Sequence, residues 1–190
     1  MLEVEIKADL GELKKEGIQG SAAEMGFVPA DSLQEIDIYF NGNDRNFIKT
    51  DEALRLRSCR NLTTGSSETF ITYKGPKLDQ KSSTRQEYET AVGNLTVMRN
   101  LLTTLGYKEV FTVDKIRQEW KMPSADGKAA VTLCLDSVAG LGDYLELETL
   151  TKAEGERDAA VEQLLQLLDK LGISRDHLTR KSYLELLMQR

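Results

Sequence analysis

Charged and apolar residues alternate at a spacing of two in six separate stretches of this chain, and that alternation most narrows what it can fold into. At the N-terminus Glu3, Glu5 and Lys7 are interleaved with Leu2, Val4 and Ile6. A strand sends successive side chains to opposite faces, so one face here is apolar and the other carries two carboxylates and an ammonium. Arg55 and Arg57 alternate with Leu54 and Leu56, and Thr72 and Lys74 with Ile71 and Tyr73. Arg85, Glu87 and Glu89 surround Gln86 and Tyr88, Lys115 and Arg117 flank Ile116, and Glu146 and Glu148 sit among Leu145, Leu147 and Thr149. One charged strand face is ordinarily solvated. Six of them, with charges grouped by sign, predict a sheet whose polar faces converge on something highly charged.

The chain has 190 residues, enough for one substantial domain. Its net charge of -6 argues against general nucleic-acid binding, which needs a dominant basic surface, yet leaves room for a local basic pocket. No apolar run approaches the roughly 20 residues of a membrane span, and the charged start does not resemble a signal peptide. Cys59 and Cys134 lack metal-type spacing, so a cytoplasmic protein with buried thiols is expected, without nucleic-acid or membrane partners. His177 is the one histidine, and no nucleophile motif accompanies it; its surroundings read as the first turn of a helix.

The pattern predicts strands over 2–9, 34–40, 54–59, 68–74, 84–90, 111–122, 129–136 and 144–151. Helices are expected over 12–26, ended by Phe27-Val28-Pro29, and over 95–105, closed by Gly106. A leucine stripe from Val161 to Leu171 marks another, and Ser174 is placed to cap a last one carrying Leu178, Tyr183, Leu184 and Leu187. Turns are expected at 41–44 and 124–127. Strand, helix and several strands occur once from residue 2 and again from about 84, which hints at two related halves. The expected class is α+β, eight antiparallel strands with helices packed outside.

If the charged faces turn inward, the interior holds Lys7, Arg55, Arg57, Lys74, Arg85, Lys115 and Arg117 with Glu3, Glu5, Glu87, Glu89, Asp136, Glu146 and Glu148. Such a set cannot be buried dry, because desolvating each ion costs several kcal/mol. Arginine forks and lysines match phosphate oxygens, while carboxylates at two-residue spacing match hard cations such as Mg2+ or Mn2+. A metal-bound polyphosphate supplies both partners at once.

These segments resemble the CYTH family, named for class IV adenylate cyclases and thiamine triphosphatases. The resemblance runs in order through Glu3-x-Glu5-x-Lys7, Leu54-Arg55-Leu56-Arg57, Tyr73-Lys74-Gly75-Pro76 and Arg85-x-Glu87-x-Glu89. It continues through Phe111–Arg117, Leu135–Glu148 and Arg180–Leu187. It implies a single CYTH domain over residues 1–190, folded as a closed eight-stranded antiparallel β-barrel, the triphosphate tunnel. It further implies a triphosphate substrate such as ATP, dependence on Mg2+ or Mn2+, and a homodimer as a possible assembly. Carried over by position, Glu3, Glu5, Asp136, Glu146 and Glu148 resemble the metal cluster. Lys7, Arg55, Arg57, Lys74, Arg85, Lys115, Arg117 and Lys181 resemble the triphosphate-binding set, with Glu3, Glu5, Lys7 and Lys115 in catalytic positions. The middle motif of Arg85, Glu87 and Glu89 either binds ligand or holds other charged side chains in place.

Two reactions fit these residues: cyclisation of ATP to cyclic AMP and pyrophosphate, or hydrolysis of tripolyphosphate, thiamine triphosphate or a nucleoside triphosphate. The Phe111–Arg117, Ala139–Tyr144 and Lys181–Tyr183 segments look like class IV cyclases, which favours the first. A non-catalytic polyphosphate or nucleotide sensor is a third option, against which the intact acidic cluster argues. Tyr39, Phe70 and Thr72 are candidates for base contacts. The polar segment Lys77–Ser83 reads either as a mobile loop or as a lid over the opening.

Overall fold

The structure, a computed structural model, describes residues 2–78, 85–124, 129–151 and 154–190. Strand β1 (Leu2–Asp9) is followed by α1 (Lys15–Glu24), β2 (Val28–Asn41), β3 (Ala53–Asn61) and β4 (Ser67–Lys74). Then come β5 (Glu87–Ala91), α2 (Leu95–Thr104), β6 (Lys108–Met122), β7 (Val131–Val138) and β8 (Gly142–Thr151). The chain closes with α3 (Arg157–Lys170), a two-residue strand β9 (Leu178–Thr179) and α4 (Tyr183–Leu187). Among the described residues no helix is long and apolar enough to cross a membrane.

All strands join one antiparallel sheet in the order β5-β4-β3-β2-β6-β7-β8-β1-β9. The strand–helix–strands rhythm is present: β1-α1-β2-β3-β4 is followed by β5-α2-β6-β7-β8. Exchanging these two halves, strand for strand, turns the order of the first eight strands into its own reverse. The long central pair β2–β6 is the seam between them.

Among the described residues the sheet is not closed into a barrel, and it has nine strands where eight were expected. The edge of β1 explains both differences. Near Lys7 and Ala8 that edge is taken by β9, while at its other end Glu3 makes an isolated bridge to Arg85, just ahead of the short β5. The sheet therefore curls until its ends touch, without a continuous ladder across the gap among the described residues.

The apolar half of each alternation faces outward onto helices. Val4 and Ile6 of β1, Leu133 and Leu135 of β7, and Leu145 and Leu147 of β8 are covered by Ile18 and Ala22 of α1 and by Leu164 and Leu168 of α3. Truncating a fully buried leucine such as Leu164 to alanine costs roughly 2–5 kcal/mol. On the other half, Leu54, Leu56, Ile38 and Phe40 pack beneath Leu102 of α2. With the helices taking one face, the charged partners in the same strands point the other way.

Several boundaries shift by a few residues, and three differences bear on the fold. Val28 and Pro29 belong to β2, and the β2–β6 register slips between Pro29 and Ser32, as suits a residue with no amide hydrogen to donate. Ser174 caps only a 3-10 turn at Arg175–His177; the helix proper waits for Ser182 because β9 intervenes. The expected strand at 84–90 is described only from Glu87, with Thr84 outside the described residues, as are the tip of the turn at 124–127 and residues 79–83 of the suggested lid. The tight β7–β8 hairpin needs Gly140 and Gly142 at φ of +80° and +120°, and it sets Asp136 opposite Tyr144 and Cys134 opposite Glu146.

Candidate active site

The concave face encloses a cavity of about 610 Å³ lined from β1 through β6, β8 and the C-terminal segment. Every long strand but β7 contributes side chains, placed by the register. Pairing of β1 with β8 sets Glu5 opposite Glu148 and Lys7 opposite Glu146. Pairing of β2 with β3 sets Asp37 opposite Arg57 and Tyr39 opposite Arg55. Among the described residues nine cationic and ten acidic side chains line the cavity, so the protein nearly cancels its own charge there. A polyphosphate entering such a site must bring positive charge with it.

One part of the lining is an ion-pair lattice. The Arg57 guanidinium donates to both oxygens of Asp37 at 2.6 and 2.8 Å and to Glu35 at 3.0 Å. Lys115 lies 3.1 Å from the second Glu35 oxygen and 2.9 Å from Asp136. Arg117 donates twice to Asp136 at 2.8 Å, once to Glu148 at 3.2 Å, and to Glu146. Burial pushes the carboxyls of Glu35, Asp37 and Asp136 upward, but the cations more than offset it. Glu35 is held at about 2 by Lys115 and Arg57. Asp37 lies well below its ordinary value through Arg57 and Arg55, and Asp136 is lowered by Arg117 and Lys115.

A second part is acidic. Glu5, Glu146 and Glu148 can each offer a carboxylate oxygen such that all three lie within 4.8 Å of one another. Burial raises the Glu148 carboxyl to about 8; Arg117 opposes that, while Glu3, Glu146 and Glu5 add to it. Burial likewise raises Glu3 to about 7 and lifts Glu5, where the neighbouring Glu146 adds to it. Glu146 differs: Lys7 at 3.0 Å and Arg117 outweigh burial and hold it low. Oxygen-only donors, mutually repelling and converging on one point, fit a hard divalent cation such as Mg2+ or Mn2+.

Arg55 is buried but loosely held, with Thr72 at 3.2 Å, Glu89 at 3.5 Å and Asp37 at 3.7 Å. Its Nε is buried with no hydrogen-bond partner among the described residues. Lys74 pairs with Glu87 at the same rim.

Most of the predicted set is thus brought together: Glu3, Glu5, Lys7, Arg55, Arg57, Lys74, Arg85, Glu87, Glu89, Lys115, Arg117, Glu146 and Glu148 all line the cavity. Two residues are placed otherwise. Asp136 has no solvent exposure, and Lys115, Arg117 and Tyr183 occupy its carboxylate, so it holds the cations and is not part of the carboxylate trio. Lys181 is exposed and does not line the cavity, its Nζ donating at 2.6 Å to Gln189, which does, while Arg180 lines the cavity, because β9 and the start of α4 set the direction of this segment. Arg85 reaches the cavity but spends its donors on the carbonyls of Asp51 at 2.6 Å and Gly75 at 3.0 Å. That binds two loops together. Glu3 lies in the cavity outside the trio.

Of the base-contact candidates, Tyr39 lines the cavity and Phe70 does not. Thr72 is fully buried and relays Arg55 to Glu89, to which it donates at 2.7 Å. His177 sits elsewhere, its Nδ1 2.7 Å from the Asp9 carbonyl oxygen. Glu35, Asp37 and Tyr183, none of them among the expected site residues, also take part in the charged interior. The first two carried a usable signal, since Glu35, Asp37 and Tyr39 alternate with Ile36, Ile38 and Phe40.

An antiparallel sheet curled around a charge-lined cavity, with helices on its outer face, is the class of protein that fold and site define. The CYTH domain model matches residues 1–183, and the chain belongs to that family. It is 40% identical over 186 residues to "Putative adenylate cyclase MJ0240" of Methanocaldococcus jannaschii, covering 98% of each. It is 27% identical over 150 residues to "Adenylate cyclase CyaB" of Aeromonas hydrophila, covering 79% of this chain and 70% of that one. The solved structure of the PH1819 protein of Pyrococcus horikoshii superposes with a TM-score of 0.86 at 40% identity, covering 98% of both chains.

Proposed function

We propose that the cavity binds ATP together with divalent cations and converts it to cyclic AMP and pyrophosphate. The observation that carries a triphosphate substrate is the coexistence, in one cavity, of a convergent carboxylate trio and a row of buried arginines and lysines. Preference for cyclisation over hydrolysis draws on the cyclase names borne by relatives of this chain.

Glu5, Glu146 and Glu148 would hold Mg2+ or Mn2+. The bound metal supplies charge neutralisation and lowers the pKa of the attacking ribose hydroxyl. The chain's own part is binding and charge placement. Arg55, loosely held, and the more exposed Lys74 take phosphate oxygens. Lys7, Lys115 and Arg117 are as buried as Arg55, and low exposure makes a charge more effective than in water. The 3′-oxygen bonds to the α-phosphorus, the bond from that phosphorus to the bridging oxygen breaks, and pyrophosphate departs with the charge those cations offset. The hydroxyl proton passes to water in the cavity. No protein nucleophile is required.

Product analysis tests this: purified protein with ATP and Mg2+ or Mn2+ yields cyclic AMP and pyrophosphate. Orthophosphate with no cyclic product would assign hydrolysis instead. Binding without turnover across ATP, GTP, tripolyphosphate and thiamine triphosphate would leave a sensor.

A further inference from the structure

Tyr183 is the first residue of α4, and a reciprocal cap fixes its place. The Ser182 hydroxyl accepts from the Glu185 amide at 3.1 Å, and the Glu185 carboxylate accepts from the Ser182 amide at 2.7 Å. The tyrosine is buried between two unlike environments. Against the protein it packs edge-on to Tyr144, with ring centroids 5.2 Å apart. Against the cavity, the Lys7 ammonium stands 4.1 Å from the ring centroid and the Lys115 ammonium 5.2 Å. Its hydroxyl donates to Asp136 at 2.9 Å, the carboxylate that also receives Lys115 and Arg117. Lys7 additionally reaches the Lys181 carbonyl at 3.4 Å.

We propose that Tyr183 is a positioning residue: its ring seats the ammonium groups of Lys7 and Lys115, its hydroxyl fixes Asp136, and α4 thereby sets the cations that meet the triphosphate. This rests on the triphosphate reading above. Lysine is a point charge on a flexible four-carbon stem, so its position must be imposed from outside. The face of an aromatic ring is an electron-rich seat that leaves the ammonium hydrogens free for oxygens. Without that seat Lys7 keeps one long contact to the Lys181 carbonyl and is drawn chiefly by the carboxylates of Glu5 and Glu146, the oxygens that fit a metal. A tyrosine that merely filled space would be replaceable by leucine. One that seats cations would not.

The test compares the full-length wild type with Tyr183→Phe and Tyr183→Leu. Circular dichroism checks folding, NMR follows the lysine ε-methylene resonances, and calorimetry measures binding of ATP and of inorganic tripolyphosphate with Mg2+. In the wild type the Lys7 and Lys115 resonances, assigned with Lys7→Arg and Lys115→Arg, lie upfield of the other lysines because of the ring current. Tyr183→Phe keeps that displacement and loses affinity by about threefold, the worth of one hydrogen bond. Tyr183→Leu loses the displacement and about tenfold in affinity, the worth of a desolvated cation–π contact. Undisplaced lysine resonances in the wild type would overturn the proposal even if the leucine variant does not fold. So would a folded leucine variant with wild-type affinity. If the wild type binds neither ligand, the triphosphate reading falls, and the displaced resonances alone decide whether the ring seats the two lysines.

Discussion

Two walls of the same cavity use the same chemistry to opposite ends. Along β2, β3, β6 and β7, Glu35, Asp37 and Asp136 each face at least two basic side chains, and all three are held below their ordinary values. Along β1 and β8, Glu3, Glu5 and Glu148 are half-buried and face one another, and all three are raised. Burial pushes every one of these carboxyls upward; the neighbours decide which way each ends. The first wall is complete without a ligand, while the second is short of positive charge. A buried ion is tolerated when its counter-charge is built in, and the contrast shows where the counter-charge has been left for something else to bring.

The largest expected effect breaks the second wall. Glu148→Gln removes a prospective metal donor, and turnover on ATP with Mg2+ should fall by at least about 100-fold. The melting temperature should hold or rise, because the amide is neutral and burial already disfavours the charged carboxylate it replaces. Glu5→Gln should behave alike. Wild-type turnover in either folded variant would take that residue out of the metal site.

The same swap in the first wall should do the reverse to stability. Asp37→Asn leaves Arg57 and Arg55 short of a buried partner and should cost about 3 kcal/mol in urea unfolding. Unchanged stability would show that the lattice is no scaffold.

Acid separates the walls more gently. Because Glu35 is held at about 2 in the folded protein against an ordinary 4.5, its stabilisation is complete above pH 4.5 and is lost as pH falls through about 2. Unfolding midpoints should therefore drop across that window, and Glu35→Gln should flatten the slope. The smallest effect lies outside both walls. Lys181→Ala should change the Michaelis constant for ATP by no more than roughly twofold, as expected of an exposed contact. A larger rise would return Lys181 to the binding set.

Much of this was legible because strand alternation is a local property. The residues at 3, 5 and 7, at 55 and 57, and at 146 and 148 announced both their strand and their face, and the structure puts all of them on the cavity lining. Asp37 obeyed the same rule but went unassigned, because one acidic residue between Ile36 and Ile38 resembles any solvated strand. Lys181 and Asp136 are placed otherwise for a different reason. Neighbours within the motif cannot reveal that β9 turns Lys181 outward, or that Tyr183 and Arg117 consume the Asp136 carboxylate.

The order of residues alone determined the eight longer strands, most of their inward faces and the sign of the charge each one offers, since these follow from side-chain periodicity. Only the tertiary structure decided whether the sheet closes, which carboxylates are already paired and which converge. Those outcomes depend on register and on distances of a few ångströms between strands far apart in the chain, and electrostatic pairing is governed by such distances.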